Sequence, residues 1–161
     1  MTEKIRTSLL ALFKQGKYQT TTTYSKELNK DPKIGIANIT IHDDTDSIDK
    51  KNSISITHSG ENNHCEKVCF HFNESKIIKI HTSNLTIASH QGSKLYFSKN
   101  KKLVSSGKGF SHIHKCYVEY KKFYSNDGNK IIVKSYTKKK YDHNFSLQSI
   151  TQLTPYGYLF I

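Results

Sequence analysis

The sequence has no tryptophan, only two prolines, Pro32 and Pro155, and a single arginine, Arg6. Each shortage bounds what the chain can be. With 35% hydrophobic residues and no tryptophan, the core must draw on 10 tyrosines and 8 phenylalanines, each of which buries a large area. Strands of such a composition carry one dry face and one wet face. The single arginine qualifies the formal net charge of +12, because 24 of the 25 basic residues are lysines. Proteins that read phosphates and base edges lean on the planar arginine fork. The lysine excess therefore reads first as a solvated surface, and only second as a nucleic-acid footprint.

Cysteine is scarce and odd in number. Cys65, Cys69 and Cys116 offer no disulfide framework, which suits a reducing cytoplasm. Long apolar runs are missing as well. Residues 9–13 are followed at once by Lys14, too short a run for a signal-peptide core, and no stretch approaches the length of a membrane span. There is no P-loop, no G-x-G-x-x-G, no G-x-S-x-G and no pair of carboxylates on one inner face, so no motif supports catalysis. At 161 residues, with no linker, repeat or low-complexity tail, residues 1–161 read as one domain.

What the sequence does have is periodicity. Residues 2–15 are predicted to form a short helix: Thr2 can cap it, and Ile5, Leu9, Leu12 and Phe13 make one apolar stripe before Gly16 stops it. From residue 17 onward helical spacing gives way to short β-prone runs, beginning with residues 18–24 and their four consecutive threonines. In residues 34–41, Ile34 and Ile36 are out of phase with Ile39 and Ile41, which a bulge at Gly35 and Ala37 would absorb. Ile54 and Ile56, then Val68, Phe70 and Phe72, then Ile78 and Ile80 mark further strands. Residues 85–88, 95–97 and 103–104 read as short strands punctuated by Gln91-Gly92-Ser93 and Lys99-Asn100. The expected fold is mainly β: an antiparallel up-and-down barrel of about eight to ten strands over residues 17–161, with the short N-terminal helix covering one end.

Residues 109–153 hold the clearest alternation. Phe110, His112, His114, Cys116, Val118 and Tyr120 fall on one face, a turn around Asp127-Gly128 follows, and residues 130–136 return. After the basic corner of residues 137–140, Tyr141, His143, Phe145, Leu147, Ser149, Thr151 and Leu153 again share a face. An apolar face studded with imidazole, thiol and phenol is the usual composition of a ligand site, since buried polar groups need partners. The candidate ligand-binding residues are His112, His114, Cys116, Tyr120, Lys140, Tyr141, His143 and Phe145, with Lys140 placed to attract an anion at the barrel's end.

Three stretches carry metal-ligand residue types. His112-x-His114-x-Cys116 puts three potential ligands on one face about 6.5–7 Å apart, and His143 could join them to hold zinc or haem. The three span about 13 Å, however, too far to meet one ion. Cys65-x-x-x-Cys69, beside His64 and His71, lacks the second pair of a zinc site and reads as core or edge thiols. The loop with Asp43, Asp44, Asp46 and Asp49 lacks the glycine and glutamate of a calcium loop and reads as solvated.

Short motifs along the chain resemble domain-of-unknown-function family 6314, a group that looks like a single lipocalin-like, calycin-type barrel. Gly16-Lys17-Tyr18 and Gly35-Ile36-Ala37 match its first two motifs, and His114-Lys115-Cys116 followed by Glu119-Tyr120 matches the third. Its corner corresponds to residues 133–141, with Lys138, Lys139 and Tyr141, and residues 146–150 follow it. Here Ser135-Tyr136-Thr137 replaces the family's Gly-Pro, and the tyrosine after Glu119 sits one position early. The resemblance implies a lipocalin-like barrel and carries no activity with it. The function expected from the residues is non-catalytic binding of a small apolar ligand with a polar or anionic end. A haem- or metal-binding barrel and a basic nucleic-acid-binding module are the alternatives.

Overall fold

The computed structural model describes residues 5–43, 52–59, 65–72, 77–83, 87–98, 102–111 and 114–156. Thr2, His64, His112, the acidic loop after Asp43 and the turns at residues 60–64 and 73–76 lie outside the described residues. The chain is mainly β, with one short α-helix among the described residues. Helix α1 (Ile5–Leu12) leads into β1 (Gly16–Tyr24), a 3-10 turn (Lys26–Leu28) and β2 (Lys33–Asp43). Strands β3 (Asn52–Ser59), β4 (Cys65–Phe72), β5 (Ile77–Ser83) and β6 (Ile87–Phe97) follow. The chain continues through β7 (Leu103–Ser111), β8 (Cys116–Asp127), β9 (Lys130–Lys139) and β10 (Ser146–Pro155).

Every described ladder is antiparallel, and the sheet order is β5-β4-β3-β2-β1-β10-β9-β8-β7-β6. First and last strands therefore pair, Tyr18 opposite Pro155 through Tyr24 opposite Ser149. The two outermost strands, β5 and β6, are consecutive in the chain. This is an up-and-down meander wrapped on itself. Its curl shows in the core: β4 and β8 are six strand spacings apart, about 29 Å in a flat sheet. Yet the rings of Phe70 on β4 and Tyr124 on β8 have centroids 5.9 Å apart.

Phe13 fills the space between those rings, stacked on Phe70 at 5.7 Å and edge-on to Tyr124 at 5.8 Å. With Leu9 and Leu12 it forms the buried stripe of α1, set against Tyr18, Ile39, Ile54, Leu103, Ile131 and Leu153. Fully burying a side chain of this kind contributes about 1.5–3 kcal/mol. Three polar contacts tie the helix end down. Asn126 donates Nδ2 to the Leu12 carbonyl at 3.1 Å, the Ile41 amide donates to Gln15 Oε1 at 3.0 Å, and the Tyr18 hydroxyl donates to the Lys14 carbonyl at 2.5 Å. The first satisfies a carbonyl that the helix terminus leaves open. The helical residues end at Leu12 rather than at 15, because β1 must begin at Gly16 to pair with β2 and β10.

Burial pushes the Tyr18 phenol above its ordinary value of 10.0, and the hydrogen bond to the Lys14 carbonyl acts the other way. The folded chain thus keeps this proton at a pH where the unfolded chain has lost it. The resulting stabilisation is complete below about pH 10 and is lost as pH rises through the folded value. Tyr18→Phe is expected to flatten the fall in unfolding free energy between about pH 9 and 11, measured by urea denaturation, while lowering neutral-pH stability by about 0.5–1.5 kcal/mol. Parallel pH profiles for the two proteins would show that the phenol is not buried as described.

Three sequence expectations are corrected by the registers. No bulge occurs in β2: Gly35, Ala37, Ile39 and Ile41 alternate inward without a register shift, and Ile34 is left 58% exposed on the outer face. Next, residues 87–88 and 95–97 do not belong to separate strands, while residues 85–86 lie outside the described residues. One strand, β6, runs from Ile87 to Phe97 and absorbs Gln91-Gly92-Ser93 as irregularities between Ala88 and Lys94. Last, the alternation through residues 110–120 is broken. Phe110 ends up on β7 and Cys116 starts β8, with Lys115 at φ 57 in the turn between them. The β8–β9 turn follows expectation, with Asp127 opposite Lys130 and Gly128 at φ 63.

Candidate functional site

The inner face divides along the strand axis. The helix end is closed by Phe13, Phe70 and Tyr124. Toward the far end, the side chains on the same face become polar. Thr20 is 1% exposed, and its hydroxyl hydrogen-bonds His58 Nε2 at 2.8 Å. Thr22 is buried beside Thr151, the two hydroxyls 2.9 Å apart. Gly35 stands between Thr20 and His58, and a Cβ there would lie 2.7 Å from the Ser59 carbonyl oxygen. Only hydrogen fits.

A second polar group runs across five strands in one register row. Ser105 on β7 is opposite Lys122 on β8, and Lys122 is opposite Ser135 on β9. Ser135 is in turn opposite Ser149 on β10, and Ser149 opposite Tyr24 on β1. Lys122 faces inward because the ladders on both sides of β8 are continuous and it lies between the buried Tyr120 and Tyr124. Its neighbours in sequence face out: Lys121 Nζ sits 4.6 Å from the Phe145 ring centroid, and Phe123 packs edge-on against Tyr136 at 5.4 Å. Lys122 is half-buried, and Ser105 beside it is 5% exposed. Among the described residues Lys122 has no carboxylate partner. One step toward the far end, the Tyr120 ring lies over Gly107, where a Cβ would come within 2.6 Å of the phenol oxygen. Val118 and then Cys116 continue that face.

Of the residues singled out from the sequence, Cys116 and Tyr120 are inward. His114 is in the β7–β8 turn, its Nε2 3.1 Å from Gln148 Oε1 and its amide donating to Ser111 Oγ at 3.2 Å. Gln148 also donates Nε2 to the Ser146 carbonyl, so this histidine belongs to a clamp holding the turn to β10. Phe110 packs on the outer face, edge-on to Tyr117 at 5.5 Å. Lys140, Tyr141 and His143 are exposed in the β9–β10 connection, Tyr141 by 87%. Phe145 lies outside the sheet under Lys121 and Lys138.

The predicted inner face through residues 141–147 does not form, because β10 begins at Ser146 and its register shifts between Leu147 and Ser149. That shift buries Gln148 and reverses the phase upstream of it. Among the described residues no three histidine, cysteine or acidic side chains gather at one point.

The outer face of β7, β8 and β9 carries Lys108, Lys121, Lys134 and Lys138 among aromatic rings. Glu119 is bridged to Lys108 and Lys138 at 3.7 Å each, exposed ion pairs of small energetic weight. Lys122 and His58 were missed in the sequence. Each was legible by extending an inner-face parity one step, from Tyr120 to Lys122 and from Ile56 to His58.

The fold and this interior define a class: a curled antiparallel meander, plugged at one end by aromatic rings and lined with hydroxyls toward the other. Neither a family model nor a curated protein matches the chain. No helix among the described residues is long and apolar enough to cross a membrane.

Proposed function

We propose that this chain is a non-catalytic small-molecule-binding protein of lipocalin-like type, taking an amphipathic ligand into the polar half of the curled sheet. The observation that carries this reading is the placement of Thr20, Thr22, Ser105 and Ser111 among the buried residues, on the inner face rather than at the surface. Thr20 and Thr22 are paired with His58 and Thr151, and Ser111 with the His114 amide, so these hydroxyls form a satisfied polar lining where a purely structural core would be aliphatic. Convergent polar groups above an apolar floor fit a ligand with a polar end. Tyr120, Val118 and Cys116 offer the less polar wall. Membership of domain-of-unknown-function family 6314 and a cytoplasmic location belong to the same proposal, the first resting on the short motifs and the second on three cysteines without a disulfide framework. A second reading, a basic nucleic-acid-binding module, is favoured by the lysines on the outer face of β7–β9. Two of those lysines, Lys121 and Lys138, already lie against the ring of Phe145.

Native mass spectrometry of the purified chain, followed by thermal-shift assays with fatty acids, aromatic acids and their neutral alcohols, tests the first reading. A co-purifying small molecule, or a saturable rise in melting temperature, is expected. If neither is seen with any compound, the interior is a filled core and the binding reading fails.

A further inference from the structure

We propose that Lys122 is the counter-charge for a carboxylate ligand, whose head group sits in mid-sheet above the Phe13–Phe70–Tyr124 floor and whose apolar body extends past Tyr120 and Val118 to the far end. This rests on the small-molecule reading above, and it turns the ligand round: the acid end points inward instead of meeting Lys140 at the rim.

A lysine on an inner face gives up hydration and gains nothing unless an opposite charge meets it. Here the ladder neighbours of Lys122 are serines on both sides, and among the described residues none of its partners is a carboxylate. Directly opposed residues have Cβ atoms about 4.5–5.5 Å apart, so the Ser105 and Ser135 hydroxyls flank the ammonium stem at a distance that an anion's two oxygens can bridge. One ammonium and two neutral hydroxyl donors balance one negative charge. A phosphate monoester, close to a dianion at neutral pH, is ordinarily held by several cations or an arginine fork. The stoichiometry of charge therefore selects a carboxylate.

The walls set the rest of the ligand. Toward the helix, Tyr124 is one inward position away, about 6.5–7 Å, and its ring is locked against Phe13 and Phe70. Nothing can extend in that direction. Toward the far end come the Tyr120 ring, whose outer end lies over Gly107, and then Val118. The apolar body is therefore assigned to that side, against Tyr120 and Val118, which protein atoms cover in the free chain.

The test uses the full chain and two probes matched in length, octanoate and octanol, by isothermal titration calorimetry on wild type, Lys122→Met and Lys122→Arg. Wild type is expected to bind octanoate at least about tenfold more tightly than octanol, the usual weight of a charged hydrogen bond. Lys122→Met should remove that preference while leaving the melting temperature of the free protein unchanged or higher, and Lys122→Arg should keep much of it. With 13C-carboxyl octanoate, the bound head group should stay ionised to a lower pH than the free acid, a readout that needs no variant. Equal binding of both probes, or octanoate affinity untouched in Lys122→Met, overturns the role of Lys122 and leaves the binding reading standing. Failure of wild type to bind either probe, or any acid or alcohol of the thermal-shift panel, overturns both.

Discussion

Phe13→Ala is expected to destabilise the protein by about 3–5 kcal/mol, which lowers the melting temperature by roughly 6–20 °C for a chain of this size. The size of the effect follows from where the ring sits. Phe13 is 0% exposed, and so is Phe70 opposite it. Its two ring partners come from strands six positions apart in the sheet order. Removing the ring therefore empties the point where the curled sheet closes on its helix, and neither wall can move in without uncurling the strands between. Phe13→Leu keeps most of the volume and should cost well under half as much. Thermal denaturation followed by circular dichroism checks both. A change within the error of the measurement for Phe13→Ala would mean that the helix does not plug the sheet.

Gly35→Ala is expected to cost about 1–3 kcal/mol and to disturb the Thr20–His58 pair. In an ordinary strand the same change is mildly favourable, because alanine loses less chain entropy than glycine. The sign reverses here because the added carbon meets a backbone atom, the Ser59 carbonyl at 2.7 Å, and lies 3.0 Å from Thr20 Oγ1 and 3.1 Å from His58 Nε2. Either β3 shifts away from β2 or the hydrogen bond breaks. Gly107→Ala is the internal comparison. Its new carbon meets the outer end of the Tyr120 side chain, which can rotate, so the smaller loss belongs there. Urea denaturation should rank the two variants in that order, and the Hε1 signal of His58 should move only in the first. The opposite ranking would place Gly35 outside the packed interior.

Much of the architecture was legible in the sequence because alternation and turn chemistry are local. Tyr18, Thr20 and Thr22 face inward as a period of two requires, and Asp127-Gly128 turns the chain where its φ preference allows. The site was less legible, for two separate reasons. Alternation says which residues share a face only while the strand lasts. Between Phe110 and Cys116 a turn intervenes, and between Leu147 and Ser149 a register shift does, so parity carried across either point assigns the wrong face. The second reason concerns Lys122. In a chain with 24 lysines, one more reads as surface, and its inward position matters only once Ser105 and Ser135 are known to be its neighbours.

The sequence by itself determined the strand-rich meander, the short amphipathic helix, the hairpin turns and the inward phase of Cys116, Val118 and Tyr120, all consequences of interactions between residues near in the chain. Tertiary structure alone decided three other things. It set the pairing of β1 with β10, the meeting of Phe13, Phe70 and Tyr124 at one closing point, and the polar row from Ser105 through Lys122 to Tyr24. Each depends on registers between strands far apart in sequence. Such registers are chosen by which faces can be buried together, a balance of the whole sheet that no local pattern encodes.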